Sequence, residues 1–248
     1  MKTLIILHGW QSSKEKWGKV KELLEKEEGG SKEIEVIAPD LPGFKAETTL
    51  ERAWDLDDYV VWLEQFVAGR EKFFLLGHSF GGRVAIKFAV KHSYRLSGLI
   101  LVSAAGIKKE PTLIRKLMEK GSMLVRKMKF EETPILKNIW GVFKKFFYQF
   151  ILGKTDYLMA SGFLKKTIKN ILKEDLSSIL EKIEVPTCLI WGEEDKITPL
   201  EDAYLMKKKI KLSQLKIMKK VGHTPHLEEP EGLVKLIKEF LFFQGPRR

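Results

Sequence analysis

Leu75-Leu76-Gly77-His78-Ser79-Phe80-Gly81-Gly82 is the stretch on which the reading of this 248-residue chain turns. It closes an apolar run, carries the spacing G-x-S-x-G, and passes straight into a segment over 81–91 with a helical apolar period. A serine on such a strand-to-helix turn points its hydroxyl out of the sheet, provided its neighbours are small enough for a tight, strained backbone. Gly77, Gly81 and Gly82 meet that need. The competing reading is a glycine-rich turn around an inert serine, so the motif acquires chemical meaning only if partners for the hydroxyl exist.

Outward from this turn the chain alternates between short apolar runs and amphipathic stretches. The pattern predicts strands over 3–7, 34–38, 73–76, 99–103, 185–191 and 215–218. It predicts helices over 13–26, with Ser12 or Ser13 as N-cap, and over 56–68, 81–91, 200–208 and 230–243. Pro39-Asp40-Leu41-Pro42-Gly43 is loop. Alternation of this kind implies an α/β fold, with an open, mainly parallel sheet of about six strands flanked by helices. Residues 107–180 break the rhythm, showing only helical or irregular patterns, and are expected to form a helical cap inserted after the fourth strand. The core is then 1–106 with 181–248.

A hydrophobic fraction of 44% and a charged fraction of 31% belong to an ordinary globular chain and exclude disordered, collagen-like and disulfide-scaffold classes. Cys188, the single cysteine, has no partner for an internal disulfide. The opening Met1 to Trp10 is too short in apolar residues for a signal-peptide core, and no run of eighteen apolar residues occurs; a soluble, cytoplasmic protein is expected. The formal charge of +11 first suggests nucleic acid. Its distribution argues otherwise. Residues 107–175 hold sixteen Lys and Arg against seven Asp and Glu, so the basicity belongs to one segment, which also holds nine of the 26 aromatic residues. No nucleic-acid-binding motif accompanies it. Solvated lysines over a packed cap explain such a segment, as does a cationic face for an acidic carrier protein or an anionic surface.

A serine hydroxyl is a weak nucleophile at neutral pH and needs a base, itself oriented by a carboxylate. Candidates for both follow in the chain. Asp195 stands just past a predicted strand in Trp191-Gly192-Glu193-Glu194-Asp195, where Glu193 and Glu194 compete with it. His223 stands past the last predicted strand in Val221-Gly222-His223-Thr224-Pro225-His226, where His226 competes with it and suits a role in shaping the helix start or the binding site. Functional groups in open α/β sheets collect at the carboxyl ends of strands, which would bring these residues to the edge that carries Ser79.

Five motifs together resemble the α/β-hydrolase superfamily: His8-Gly9 after the first strand, Asp40-Leu41-Pro42-Gly43-Phe44 after the second, the serine turn, W-G-x-x-D ending at Asp195, and G-H-x-P-H at His223. The resemblance implies a catalytic triad of Ser79, Asp195 and His223. It also implies an oxyanion hole from the backbone N–H groups of Trp10 and Phe80, and a substrate-binding site that includes Trp10, Phe80 and His226. The implied activity is a serine carboxylesterase acting on small to medium apolar acyl groups through an acyl-enzyme. The alternatives on the same triad are a lactone, thioester or carbon–carbon bond hydrolase, including a carrier-protein methyl ester esterase; a non-enzymatic ligand-binding protein on this fold is a further one. No cofactor is implied, and the five histidines show no metal-ligand spacing. Serine at the nucleophile position argues against dehalogenase and epoxide hydrolase chemistry, which the resemblance assigns to aspartate. The chain departs from the superfamily pattern in having no strands ahead of the one that ends in His8-Gly9.

Overall fold

The computed structural model describes residues 1–27, 31–45, 49–108 and 162–242. The chain divides into two compact units, Met1–Ile107 together with Gly162–Arg248, and Lys108–Ser161; the description below is of the first. Most of the segment expected as a cap, with every one of its aromatic residues except Phe163, lies outside the described residues.

Six strands, β1 (Lys2–Leu7), β2 (Ile34–Ile37), β3 (Phe73–His78), β4 (Leu96–Val102), β5 (Thr187–Gly192) and β6 (Ser213–Met218), form one sheet in the order β2-β1-β3-β4-β5-β6. Every pairing is parallel. The inner strands read as unbroken apolar runs because both faces are covered. On one face Leu4, Ile6, Leu76, Ile100, Val102 and Ile190 pack in one cluster with Trp17, Val20 and Leu24 and with Leu233, Ile237 and Phe240. Those side chains come from helices α1 (Gly18–Glu25) and α7 (Pro230–Phe242), Trp17 excepted, which closes a 3₁₀ turn over Lys14–Trp17. By the two-residue period of a strand, Ile5, Leu7, Leu75, Leu99 and Leu101 face the other way. There lie α2 (Leu56–Phe66) and α3 (Phe80–Lys91). Cys188 is buried within the first face, and burial pushes its thiol up to about 12, so it remains a protonated packing residue.

The direction of strand addition reverses between β1 and β3, so the turns after these two strands flank the crevice where open α/β sheets place their sites. His8-Gly9-Trp10 follows one and Ser79 the other. The chain leaves the sheet after β4 and returns at β5, and the described part of this insertion carries helix α4 (Phe163–Lys173). Its inner residues Thr167, Ile168 and Ile171 are buried. The nearly buried Arg83 of α3 donates through one guanidinium nitrogen to the carbonyls of Ile171 (3.1 Å) and Glu174 (2.9 Å). A cation there adds donors at the negative end of the helix, where the Ile171 carbonyl also accepts from the Glu174 N–H at 3.3 Å. Lys87 adds an ion pair to Glu174 at 2.7 Å. Helix α5 (Leu200–Lys209) and the one-turn α6 (Pro225–Glu228) complete the described helices.

Some boundaries differ from the sequence pattern, each for a physical reason. The helix expected over 13–26 starts as the 3₁₀ turn, and Ser13 makes no capping hydrogen bond. Asp40, from the loop after β2, instead accepts from the Lys14 N–H at 2.9 Å. Strand β5 begins after Pro186, whose nitrogen has no proton to give, although its carbonyl accepts from Leu99. Strand β3 runs on through Gly77 and His78, because β4 pairs with both. No helix among the described residues is long and apolar enough to cross a membrane.

Candidate active site

Ser79 sits at φ 52°, ψ −112°, a left-handed conformation outside the small region that ordinary residues tolerate. What holds it there is backbone crowding. A Cβ on Gly77 would lie 2.5 Å from the Gly81 carbonyl oxygen and 2.7 Å from the Gly82 Cα, and one on Gly81 would collide with the Leu7 carbonyl. The glycines therefore let α3 start in contact with β3 and β1, which leaves the chain no room to relax at the serine.

The Ser79 hydroxyl lies 3.0 Å from His223 Nε2, across 144 residues of sequence. On the other side of that ring, Nδ1 stands 2.9 Å from Asp195 Oδ2 and 3.1 Å from Oδ1. Burial would raise the Asp195 carboxyl, but hydrogen bonds and charge from His223, with further hydrogen bonds from Thr198, outweigh it and hold the group below its ordinary range. Asp195 is thus an ionised acceptor. In the neutral imidazole Nδ1 then carries the proton towards Asp195, Nε2 presents its lone pair, and the Ser79 hydroxyl donates to it. It is Asp195 whose carboxylate meets His223, whereas Glu193 and Glu194 are exposed.

Asp195 is itself held by donors that the sequence did not single out. Its Oδ1 accepts from the N–H groups of Ile197 and Thr198, each at 2.9 Å, and its Oδ2 lies 2.8 Å from the Thr198 hydroxyl. The Trp191 indole N–H donates to the Thr198 carbonyl at 2.7 Å and closes this loop against the end of β5. Only the placing of Thr198 three residues after an aspartate, an arrangement common to many turns, hinted at this.

His8 is buried, and burial lowers its pKa, so it is neutral. Its Nδ1–H donates to the Gly9 carbonyl (2.8 Å) and its Nε2 accepts from the Leu41 N–H (2.9 Å), which ties the turn after β1 to the loop after β2. Gly9 packs against the serine turn, where a Cβ would stand 3.4 Å from Ser79 Cβ. Trp10 follows it, its ring edge-on to Phe44 (4.8 Å) and Phe80 (5.3 Å). Phe80 is the first residue of α3, so its N–H is one of those without an intrahelical acceptor, at the positive end of the helix dipole. Both residues expected to supply the oxyanion hole therefore flank Ser79.

His226 stands at the helix start, the first of the two roles that its position suited. The ring is 2% exposed, stacked on Trp17 at 4.3 Å with planes 2° apart, and 4.6 Å from the ring of His78. Because Pro225 and His226 open α6, the turn that follows His223 carries this ring down into the core, where it packs on Trp17. Among the described residues no group of three or more His, Cys, Asp or Glu is arranged to hold a metal ion.

Comparison with known proteins places the chain in a family. The family model described as "Alpha/beta hydrolase family" matches residues 4–236. Human monoacylglycerol lipase ABHD6 is 29% identical over 259 residues, spanning 96% of this chain and 75% of its own. Among solved structures, a bacterial membrane phospholipase A superposes with a TM-score of 0.70 at 24% identity, over 97% of this chain and 78% of that one. A thermophilic esterase from Thermogutta terrifontis does so at 0.67 and 24%, over 97% and 89%. Both share the fold.

Proposed function

The chain belongs to the α/β-hydrolase family, and from that premise we propose that it is a serine hydrolase that cleaves carboxylic esters of small to medium apolar acyl groups. One observation carries the reading: the hydrogen-bonded series from Ser79 Oγ through His223 to Asp195, with spacings of 3.0 and 2.9 Å. His223 Nε2 takes the hydroxyl proton as Ser79 attacks the ester carbonyl. The ionised Asp195 holds the tautomer that makes this possible and stabilises the imidazolium as it forms. The N–H groups of Phe80 and Trp10 receive the oxyanion, and Trp10 and Phe80 supply apolar surface for the acyl group. His223 then returns the proton to the departing alcohol and activates the water that releases the acid. The steps need no cofactor. The names of the relatives, a monoacylglycerol lipase and an esterase among them, support an ester bond as the one cleaved.

Within this proposal residues 107–180 form a cap that selects the substrate, and their basic stretch receives an acidic carrier protein or an anionic surface. The ground for this is the excess of lysine and arginine there.

A p-nitrophenyl ester series from acetate to decanoate, run on the wild type and on Ser79→Ala, tests the activity. Turnover that peaks at short or medium chains and falls by at least about a thousandfold in the variant is expected. Comparable turnover in Ser79→Ala refutes the assignment.

A further inference from the structure

His223, like Asp195, stands on an irregular segment, here between β6 and α6, yet it must hold its ring to within a fraction of an ångström. Three backbone groups around it are gripped by two side chains. The His78 ring is within 2.9 Å of the His223 carbonyl oxygen through Nε2, and since a carbonyl only accepts, Nε2–H is the donor. On the solvent side the Glu228 carboxylate accepts from the Gly222 N–H (2.6 Å) and from the Thr224 N–H (2.8 Å) and hydroxyl (2.7 Å). The peptide group joining His223 to Thr224 is thus held at both its carbonyl and its N–H, and the peptide group joining Val221 to Gly222 is held at its N–H.

We infer that His78 and Glu228 are positioning residues, which clamp the backbone of residues 222–224 so that His223 Nε2 stays on the Ser79 hydroxyl, resting on the ester-hydrolase reading above. His78 directly precedes Ser79, so the clamp ties the nucleophile's own turn to the base across 145 residues of sequence. The ring has little freedom to move. It is 4% exposed, wedged against Trp17 and His226, and Gly9 makes room for it, since a Cβ there would stand 3.0 Å from His78 Nδ1. Burial first, then the neighbouring His226 and His223, hold this imidazole well below its ordinary pKa. Its neutrality suits the task. A second cation with its ring centre 5.1 Å from that of His223 would oppose the imidazolium that forms as Ser79 attacks.

Displacing a reacting group by about 1 Å costs on the order of a hundredfold in rate. His78→Phe fills the aromatic niche but donates nothing, whereas His78→Gln brings an amide N–H to nearly the place of Nε2–H. The expected result with p-nitrophenyl butyrate is a fall in kcat of about ten- to a hundredfold for His78→Phe, KM within about twofold, and recovery to within about fivefold of wild type for His78→Gln. Glu228→Ala, on an exposed residue whose loss leaves the core intact, should lower kcat about tenfold in the same pattern. A folded His78→Phe enzyme with kcat within a factor of two of wild type overturns the clamp, and so does a His78→Gln enzyme no better than it. If the phenylalanine variant does not fold, the other two variants decide by the same criteria. A second readout does not depend on turnover. The low-field proton resonance of His223 Nδ1–H, sharp in the wild type, should broaden by exchange in Glu228→Ala; an unchanged line overturns the inference even if the wild type hydrolyses no ester. Absence of wild-type hydrolysis refutes the ester reading alone.

Discussion

Replacing Ser79 by glycine should make the protein more stable than replacing it by alanine, although both variants are inactive. The residue is held at φ 52°, ψ −112°, where a side chain costs on the order of 1–3 kcal/mol. Alanine keeps the Cβ and therefore the strain; glycine releases it. Glycine also gains freedom in the unfolded chain, which offsets about 0.5–1 kcal/mol. The net advantage of glycine over alanine is then about 1 kcal/mol, which for a chain of this size corresponds to a rise in melting temperature of about 2–4 °C. Both substitutions remove the 3.0 Å hydrogen bond to His223, so their difference isolates the backbone. Thermal unfolding of the two variants followed by circular dichroism at one pH and protein concentration measures it. A glycine variant that melts at or below the alanine variant would show that the conformation at residue 79 stores no strain, and the account of why three glycines surround it would fail.

Three other outcomes follow from particular contacts. Burial first, then the nearby His223, push His226 down to about 4, while the unfolded chain titrates near 6.5. The unfolded state therefore binds the extra proton between those values, so stability is complete above pH 6.5 and falls towards pH 4 by about 3 kcal/mol from this group. His226→Phe, which keeps a ring on Trp17, should flatten the dependence of the urea midpoint on pH by about that amount; His78 and His8 shift in the same direction and remain in both proteins. An unaltered slope would contradict the buried, neutral state of His226. Gly77→Ala places a Cβ 2.5 Å from backbone that cannot yield, so it should cost at least about 2 kcal/mol of unfolding free energy in urea and abolish ester turnover. Arg83→Met leaves the Glu174 carbonyl without this donor and the Ile171 carbonyl with the long Glu174 N–H bond of 3.3 Å, and should lower stability by about 1–3 kcal/mol. Hydrogen exchange of residues 163–173 should accelerate in that variant, and unchanged protection there would count against the anchor.

The five motifs marked both the sheet and the candidate site in the sequence because each is a local necessity. An apolar run covered on both faces reads the same wherever it lies, and a turn that lets a helix start against its own strand demands small residues at fixed offsets. Ser79, Asp195 and His223 stood out because each follows directly on such a strand. What the chain could not display in one dimension was contact between segments far apart. Residue type and position alone left Glu193 and Glu194 beside Asp195, and only the resemblance chose among them; the contact itself formed when the β5 and β6 loops came together, with the Trp191 indole closing one of them over Thr198. His226 carried a local signal much like that of His223, and its stacking was hidden, because only the assembled core contains the face of Trp17 on which it lies. Asp40, 26 residues from Lys14, took the N–H that the serine was expected to cap, for the same reason. Periodicity and turn chemistry depend on neighbours in the chain and are written in it; hydrogen-bond partners, burial and proton affinity depend on neighbours in space, and these exist only once the sheet has formed.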